Sequence, residues 1–250
     1  MTDKSLVNSP IDLSGNPARR SFFKRACCGS VGLAASLGSA QVFAADARKT
    51  TLTADQALAL LKDGNAKYLS DSPVTAAKGR ERRLDIARGQ TPFAVLVSCS
   101  DSRVPPELLF GRGLGELFIV RNAGNTVDTV AMGSIEYAIA VLGVPLVVVM
   151  GHERCGAVEA ALSVVEKNTV FPGSLNQMIE PILPAALFAR STGAKGEDLL
   201  EAAVRENVKR VVTRLRNSGP VLLDPIRAGT VRVVGARYDL SDGSVDFFMT

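Results

Sequence analysis

Three short runs, 93–98, 117–121 and 145–150, are apolar at almost every position and lean on Val, Leu and Ile. A strand with one wet face alternates apolar and polar residues, so runs without alternation must be covered on both faces. Helical spacing appears around and between them. Ala57, Leu58, Leu61 and Tyr68 mark an amphipathic helix over 53–70, and further helices are expected over 129–142, 175–190 and 197–217. The charged stretch 78–88 reads as a solvated helix whose arginines form a surface face. Segments 231–238 and 245–248 flank Asp242-Gly243 and read as a terminal hairpin. The expected fold is α/β: a mostly parallel central sheet, helices on both faces and an antiparallel edge strand.

In such sheets ligands bind beyond the carboxyl ends of the strands. The first run ends at Cys99, within Cys-Ser-Asp-Ser-Arg, and the third at Gly151-His152, within Gly-His-Glu-Arg-Cys-Gly. His152 is the only histidine of the chain. Cys155, three residues later, is expected in the first turn of the next helix, where the positive helix terminus favours a thiolate. Cys99, His152 and Cys155 offer three zinc ligands, and the Asp101 carboxylate offers a fourth, weaker one. Structural zinc sites fill all four positions, whereas catalytic ones keep one for water. Asp101 suits either use. Arg103 tips the balance, because a guanidinium forms a bidentate pair with a carboxylate and competes with the metal for it. If that pair wins, zinc-bound water ionises readily and becomes a hydroxide nucleophile. A closed structural zinc site is the alternative reading of the same residues.

The N-terminal residues read as targeting rather than fold. Arg19-Arg20-Ser21-Phe22-Phe23-Lys24 is a twin arginine followed by aromatics and a lysine, and 26–45 carries no charge. Residues 1–47 are therefore expected to be a twin-arginine export signal, cleaved after Ala44 or Ala47, that takes the protein to the periplasm through the export machinery. The alternative is an uncleaved membrane helix, for which the run is rich in Gly, Ala and Ser and short of Leu and Ile. Residues 48–250 form the second unit, one domain. There 24 basic residues face 22 acidic ones, too even a balance to argue for nucleic acid. Cys27 and Cys28 leave with the signal, so Cys99 and Cys155 remain. A disulfide is the simple reading of two exported thiols. It has no use for Asp101 or His152, which a zinc site employs. Export of a folded protein also lets zinc enter in the cytoplasm, where both thiols stay reduced.

Over residues 50–250 the chain resembles the β-class carbonic anhydrases. Three blocks in order carry the likeness: Cys99 to Arg103, Arg121-Asn122-Ala123-Gly124-Asn125, and Gly151 to Gly156. The resemblance implies one zinc per subunit on Cys99, His152 and Cys155, with Asp101 on the metal in a resting form and held away by Arg103 in the active one. It implies reversible hydration of carbon dioxide to bicarbonate and a proton, with Asp101 and Arg103 in the catalytic machinery. Gln90 matches the family's substrate-binding glutamine, Phe118 and Tyr137 match aromatics of the cleft, and Ala123 and Gly156 match small residues beside the metal. It also implies a homodimer or a multiple such as a tetramer, with the cleft between subunits.

Glu153 and Arg154 are bulkier and more charged than the residues often found there. They do not make a metalloprotease, since the second histidine of His-Glu-x-x-His is absent. The chain has no Trp, which the bicarbonate-regulated subgroup employs, so no such regulation is expected. With the only histidine committed to the metal, proton export falls to Asp101, water or buffer. Hydrolysis of carbonyl sulfide or carbon disulfide on the same zinc set is the runner-up activity, and a non-catalytic zinc-stabilised binding protein the rival from another class. A thiol redox protein would want Cys-x-x-Cys, which is absent.

Overall fold

The computed structural model describes residues 49–72 and 76–250. The twin-arginine segment and its cleavage positions lie outside the described residues. Helix α1, Ala54–Leu69, opens on a capping box: the Thr53 hydroxyl accepts from the Gln56 amide while Thr53 N–H donates to the Gln56 side chain. Helix α2, Gly79–Ile86, buries none of its residues, in keeping with a solvated arginine face.

Strands β1, Ala94–Ser98, β2, Leu117–Arg121, and β3, Leu146–His152, are the three apolar runs. With β4, Arg232–Tyr238, and β5, Val245–Phe248, they form one sheet in the order β2-β1-β3-β4-β5. The first four strands are parallel, and β5 pairs antiparallel with β4. Short helix α3, Pro106–Leu109, follows β1, and α4, Thr129–Ala140, follows β2, its first turn capped by the Asp128 carboxylate on Ala131 N–H at 2.7 Å. Helix α5, Gly156–Lys167, follows β3.

Period-two alternation sorts the strand side chains between two cores. Val95, Val97, Val147 and Val149 pack with Ile135 and Ala138 of α4 and with Val208, Val212 and Leu215 of the long helix α8, Gly196–Arg216. Leu96, Leu146, Val148 and Met150 pack with Leu58 and Leu61 of α1 and with Leu109. Full burial of a side chain such as Leu61 contributes about 1.5–3 kcal/mol. A third cluster lies under the ends of β1 and β3, where Val158 and Leu162 of α5 meet Ile179, Ile182 and Ala186.

Two expectations shift. The helix expected over 175–190 is broken into α6, Ser174–Ile179, a 3-10 turn at Glu180–Ile182, and α7, Leu183–Ser191. Pro181 and Pro184 cause it, for each lacks the N–H that a continuous helix needs but suits a first turn. Helix α9, Pro220–Arg227, adds an element that sequence reasoning lacks. Among the described residues, no helix is long and apolar enough to cross a membrane.

Candidate metal centre

Strand register builds the site. Ser98, the last residue of β1, pairs with Met150, so β3 runs two residues further and ends on His152 while the chain after β1 turns away at Cys99. Arg154, with φ of 49°, reverses the chain after β3 and delivers Cys155 back to the same spot. Cys155 is the N-cap of α5, one residue before the helical turn expected for it. The three ligand atoms lie within 4.8 Å of one another, and all three residues are buried.

The arrangement fits zinc on two observations. Sulfurs about 2.3 Å from a tetrahedral zinc stand roughly 3.8 Å apart, and Cys99 Sγ and Cys155 Sγ are 4.0 Å apart. His152 Nδ1 bonds the Glu153 carbonyl at 2.8 Å, which accepts only, so Nδ1 carries the proton and in the neutral ring the lone pair is on Nε2. That Nε2 is fully buried and has no hydrogen-bond partner. An orphaned buried acceptor costs about 1–3 kcal/mol, and a metal removes the penalty.

Electrostatics point the same way. The Cys99 thiol is pushed down to about 4, first by its hydrogen bond with the Cys155 thiol, against burial, then with help from His152 and the Gly124 and Asp101 backbone. Cys155 is pushed up, first by its bond to Cys99 and then by burial. Burial disfavours two negative sulfurs side by side, and a divalent cation is what lets both ionise.

Beside them Asp101 is clamped by Arg103. Arg103 Nε and backbone N–H each donate to Asp101 Oδ1 at 2.9 Å, and Nη2 donates to Oδ2 at 2.7 Å. The Arg103 side-chain bonds, first among several causes, hold the Asp101 carboxyl far below the usual carboxylate range. Asp101 Oδ2 lies 4.0 Å from His152 Nε2, so the carboxylate flanks the ligand cluster while engaged elsewhere. Arg121 Nε donates to the Cys99 carbonyl at 2.8 Å and its Nη2 to the Asp101 carbonyl at 2.6 Å, pinning the loop that carries both. Sequence reasoning assigns Arg121 no task; the available signal is a guanidinium closing an apolar strand.

Of the other expected site residues, Phe118 on β2 and Tyr137 on α4 come together, their rings 6.4 Å apart, and Tyr137 stays 45% exposed. Ala123 precedes Gly124 in a 3-10 turn, and Gly124 N–H donates to Cys99 Sγ at 3.3 Å. Gly156 begins α5 with open space where a Cβ would stand. Gln90 lies in the exposed link between α2 and β1.

A sequence profile of the carbonic anhydrases matches residues 94–245, from β1 into β5. A carbonic anhydrase of Mycolicibacterium smegmatis is 41% identical over 186 residues, covering 74% of this chain and 89% of that protein. The chain belongs to the β-class carbonic anhydrase family. Carbonic anhydrase 2 of Mycobacterium tuberculosis is 38% identical over 183 residues, 73% of this chain and 87% of that one. Among solved structures, a tetrameric β-carbonic anhydrase of Sordaria macrospora superposes with a TM-score of 0.62 at 26% identity, over 67% of this chain and 85% of that one. A β-carbonic anhydrase of Aspergillus fumigatus gives 0.62 at 28% identity, over 78% and 90% of the two chains.

Against that β-carbonic anhydrase background, the bulky Glu153 has its own structural use. Its carboxylate accepts from Leu240 N–H at 3.0 Å and from the Ser241 hydroxyl at 3.1 Å, while its N–H donates to the Tyr238 carbonyl at 2.9 Å. The residue whose carbonyl fixes the His152 tautomer is thereby tied to the turn between β4 and β5.

Proposed function

We propose that this chain catalyses the reversible hydration of carbon dioxide with one zinc held by Cys99, His152 and Cys155. The observation that carries the reading is the buried Cys-His-Cys cluster with Asp101 drawn aside by Arg103, which leaves one side of the cluster without a protein ligand. Bound there, zinc supplies a Lewis acid that lowers the pKa of water to about 7.

The chain's own groups do the rest. Asp101, kept ionised by Arg103, offers only acceptor oxygens beside His152 Nε2, so it orients a water through its proton and takes no metal position while the pair holds. Release of Arg103, whose side chain is half exposed, would free the Asp101 carboxylate, which could then take the remaining position on a bound zinc. Phe118 and Tyr137 give an apolar wall suited to an uncharged substrate, Ala123 and Gly156 leave room beside the metal, and the Gln90 amide orients carbon dioxide. The exposed Gln90 and the half-exposed Tyr137 and exposed Val130 on α4 support a cleft completed by a second copy, in a homodimer or a tetramer.

Stopped-flow hydration by the zinc-loaded protein, run beside Asp101→Asn across pH, tests this. The variant keeps the side-chain volume and loses the charge, and a loss of about 100-fold or more in kcat/KM is expected. Zinc-loaded wild type without hydration at any pH would refute the reading and make carbonyl sulfide the next substrate to try.

Export through the twin-arginine route to the periplasm rests on Arg19 and Arg20. Fractionated cells should yield the protein in the periplasm at dimer or tetramer mass, and the double change of both arginines to Lys should retain it in the cytoplasm. Equal periplasmic amounts of the two forms would count against this route.

A further inference from the structure

The buried face of α8 is a stripe of Leu199, Ala203, Val204, Val208, Val211, Val212 and Leu215, interrupted by a single polar side chain, Asn207. Burying an amide among apolar groups is unfavourable unless its hydrogen bonds are made. Asn207 Nδ2 makes one, donating to the Gly124 carbonyl at 2.8 Å, across 83 residues of chain.

Gly124 is a poor place to leave unsupported. Its φ of 70° is left-handed, and a Cβ would stand 2.6 Å from Ile182 Cδ1, so only glycine fits. Glycine is also the residue whose backbone is least constrained by its own sterics. Yet Gly124 N–H is the donor on Cys99 Sγ. Something outside the turn must hold it, and Asn207 grips the same residue by its other polar group. The same turn of α8 carries Val204 and Val208, which pack so closely on Gly151 that a Cβ there would lie 3.1 and 2.8 Å from them. One helical turn therefore backs the glycine beside Cys99 and the glycine beside His152.

We propose that Asn207 is a positioning residue for the metal centre: by fixing the Gly124 carbonyl it keeps Gly124 N–H on the Cys99 sulfur and so limits the charge that this thiolate donates to the metal. The inference rests on the zinc reading of the Cys-His-Cys cluster. Metal-ligand partners beyond the ligands themselves usually change metal affinity by about 10–100-fold, and a hydrogen bond to a ligating sulfur lowers the energy of its lone pairs.

Cobalt(II) in place of zinc gives a readout independent of turnover, because its sulfur-to-metal charge-transfer bands report the sulfur directly. In Asn207→Leu, of the same branched shape but without the donor, those bands are expected at lower energy, and zinc affinity by chelator competition is expected to change about tenfold or more. Leu215→Ala, buried about two turns further along the same helix, serves as a control that weakens the fold and leaves the bands in place. Should Asn207→Leu not fold, Asn207→Ala removes the donor without added bulk, with the same shift expected. Wild-type bands and affinity in a folded Asn207 variant overturn the positioning role alone. Cobalt protein of the wild type without sulfur bands overturns that role and the metal reading together.

Discussion

Stripping the protein of metal is expected to abolish carbon dioxide hydration and to lower its thermal midpoint by about 10 °C, with zinc restoring both. A ligand present at about a thousand times its dissociation constant stabilises the folded state by about 4 kcal/mol, and a domain of about 200 residues gains roughly 2–4 °C per kcal/mol. The structural ground is the state left behind: two buried sulfurs 4.0 Å apart and a fully buried His152 Nε2 without a partner. All three residues are buried, Cys99 and Cys155 within the cluster that α5 helps to form. Activity should fall at least about a thousandfold, because water without a Lewis acid keeps its bulk pKa. The measurement pairs stopped-flow assay and calorimetry with metal analysis, under a reductant that keeps the two sulfurs apart. Full activity in protein shown to be metal-free would remove the metal from the mechanism.

A large loss of stability from a single methyl group is expected at Gly64. Helix α1 crosses the Phe110 segment so closely there that an added Cβ would lie 2.0 Å from the Phe110 carbonyl oxygen and 2.7 Å from its carbon. Both are backbone atoms, so no side-chain rotation relieves the contact and the helix itself must move. Moving it also strains the bonds of the next residue: Asn65 Nδ2 donates to the Gly243 and Leu109 carbonyls, and its Oδ1 accepts from Val245 N–H. Overpacking costs about 1–3 kcal/mol and each buried hydrogen bond lost about 1 kcal/mol more, so Gly64→Ala should lose about 4 kcal/mol. Urea unfolding monitored by circular dichroism measures it. A loss below about 1 kcal/mol would mean that α1 and the Phe110 segment are not held together as tightly as the backbone contact requires.

Sequence reasoning singled out the Cys-His-Cys cluster because each of its residues sits at a visible boundary. Cys99 and His152 close apolar runs, and parallel neighbours with aligned ends bring such residues together. The Asp101/Arg103 pair was legible for the same local reason, two residues apart on one loop. Breaks and long-range ties were harder. The apolar spacing over 175–190 continues through Pro181 and Pro184, so periodicity alone joins what the missing N–H groups separate. Pro220 and Pro225 similarly hide α9, where the first sits at a helix start. Asn207 was invisible because an asparagine in a helix reads as solvent-facing, although its spacing from Val204, Val211 and Leu215 puts it on the apolar stripe. Its bond to Gly124 depends on a tertiary contact that no local pattern encodes.

Because β1, β2 and β3 run parallel, none of them pairs by folding back on its neighbour; among the described residues β4 and β5 alone form a hairpin. Joining β1 to β3 means closing a loop of roughly 50 residues before any packing rewards it. Such closures make folding slow, and while they are pending the apolar strands of an incomplete chain are open to association with other chains. Cys99 lies just past one of these strands and Cys155 just past the other. The two thiols meet only when the sheet has closed, so a metal held between them would mark a molecule that has passed this closure.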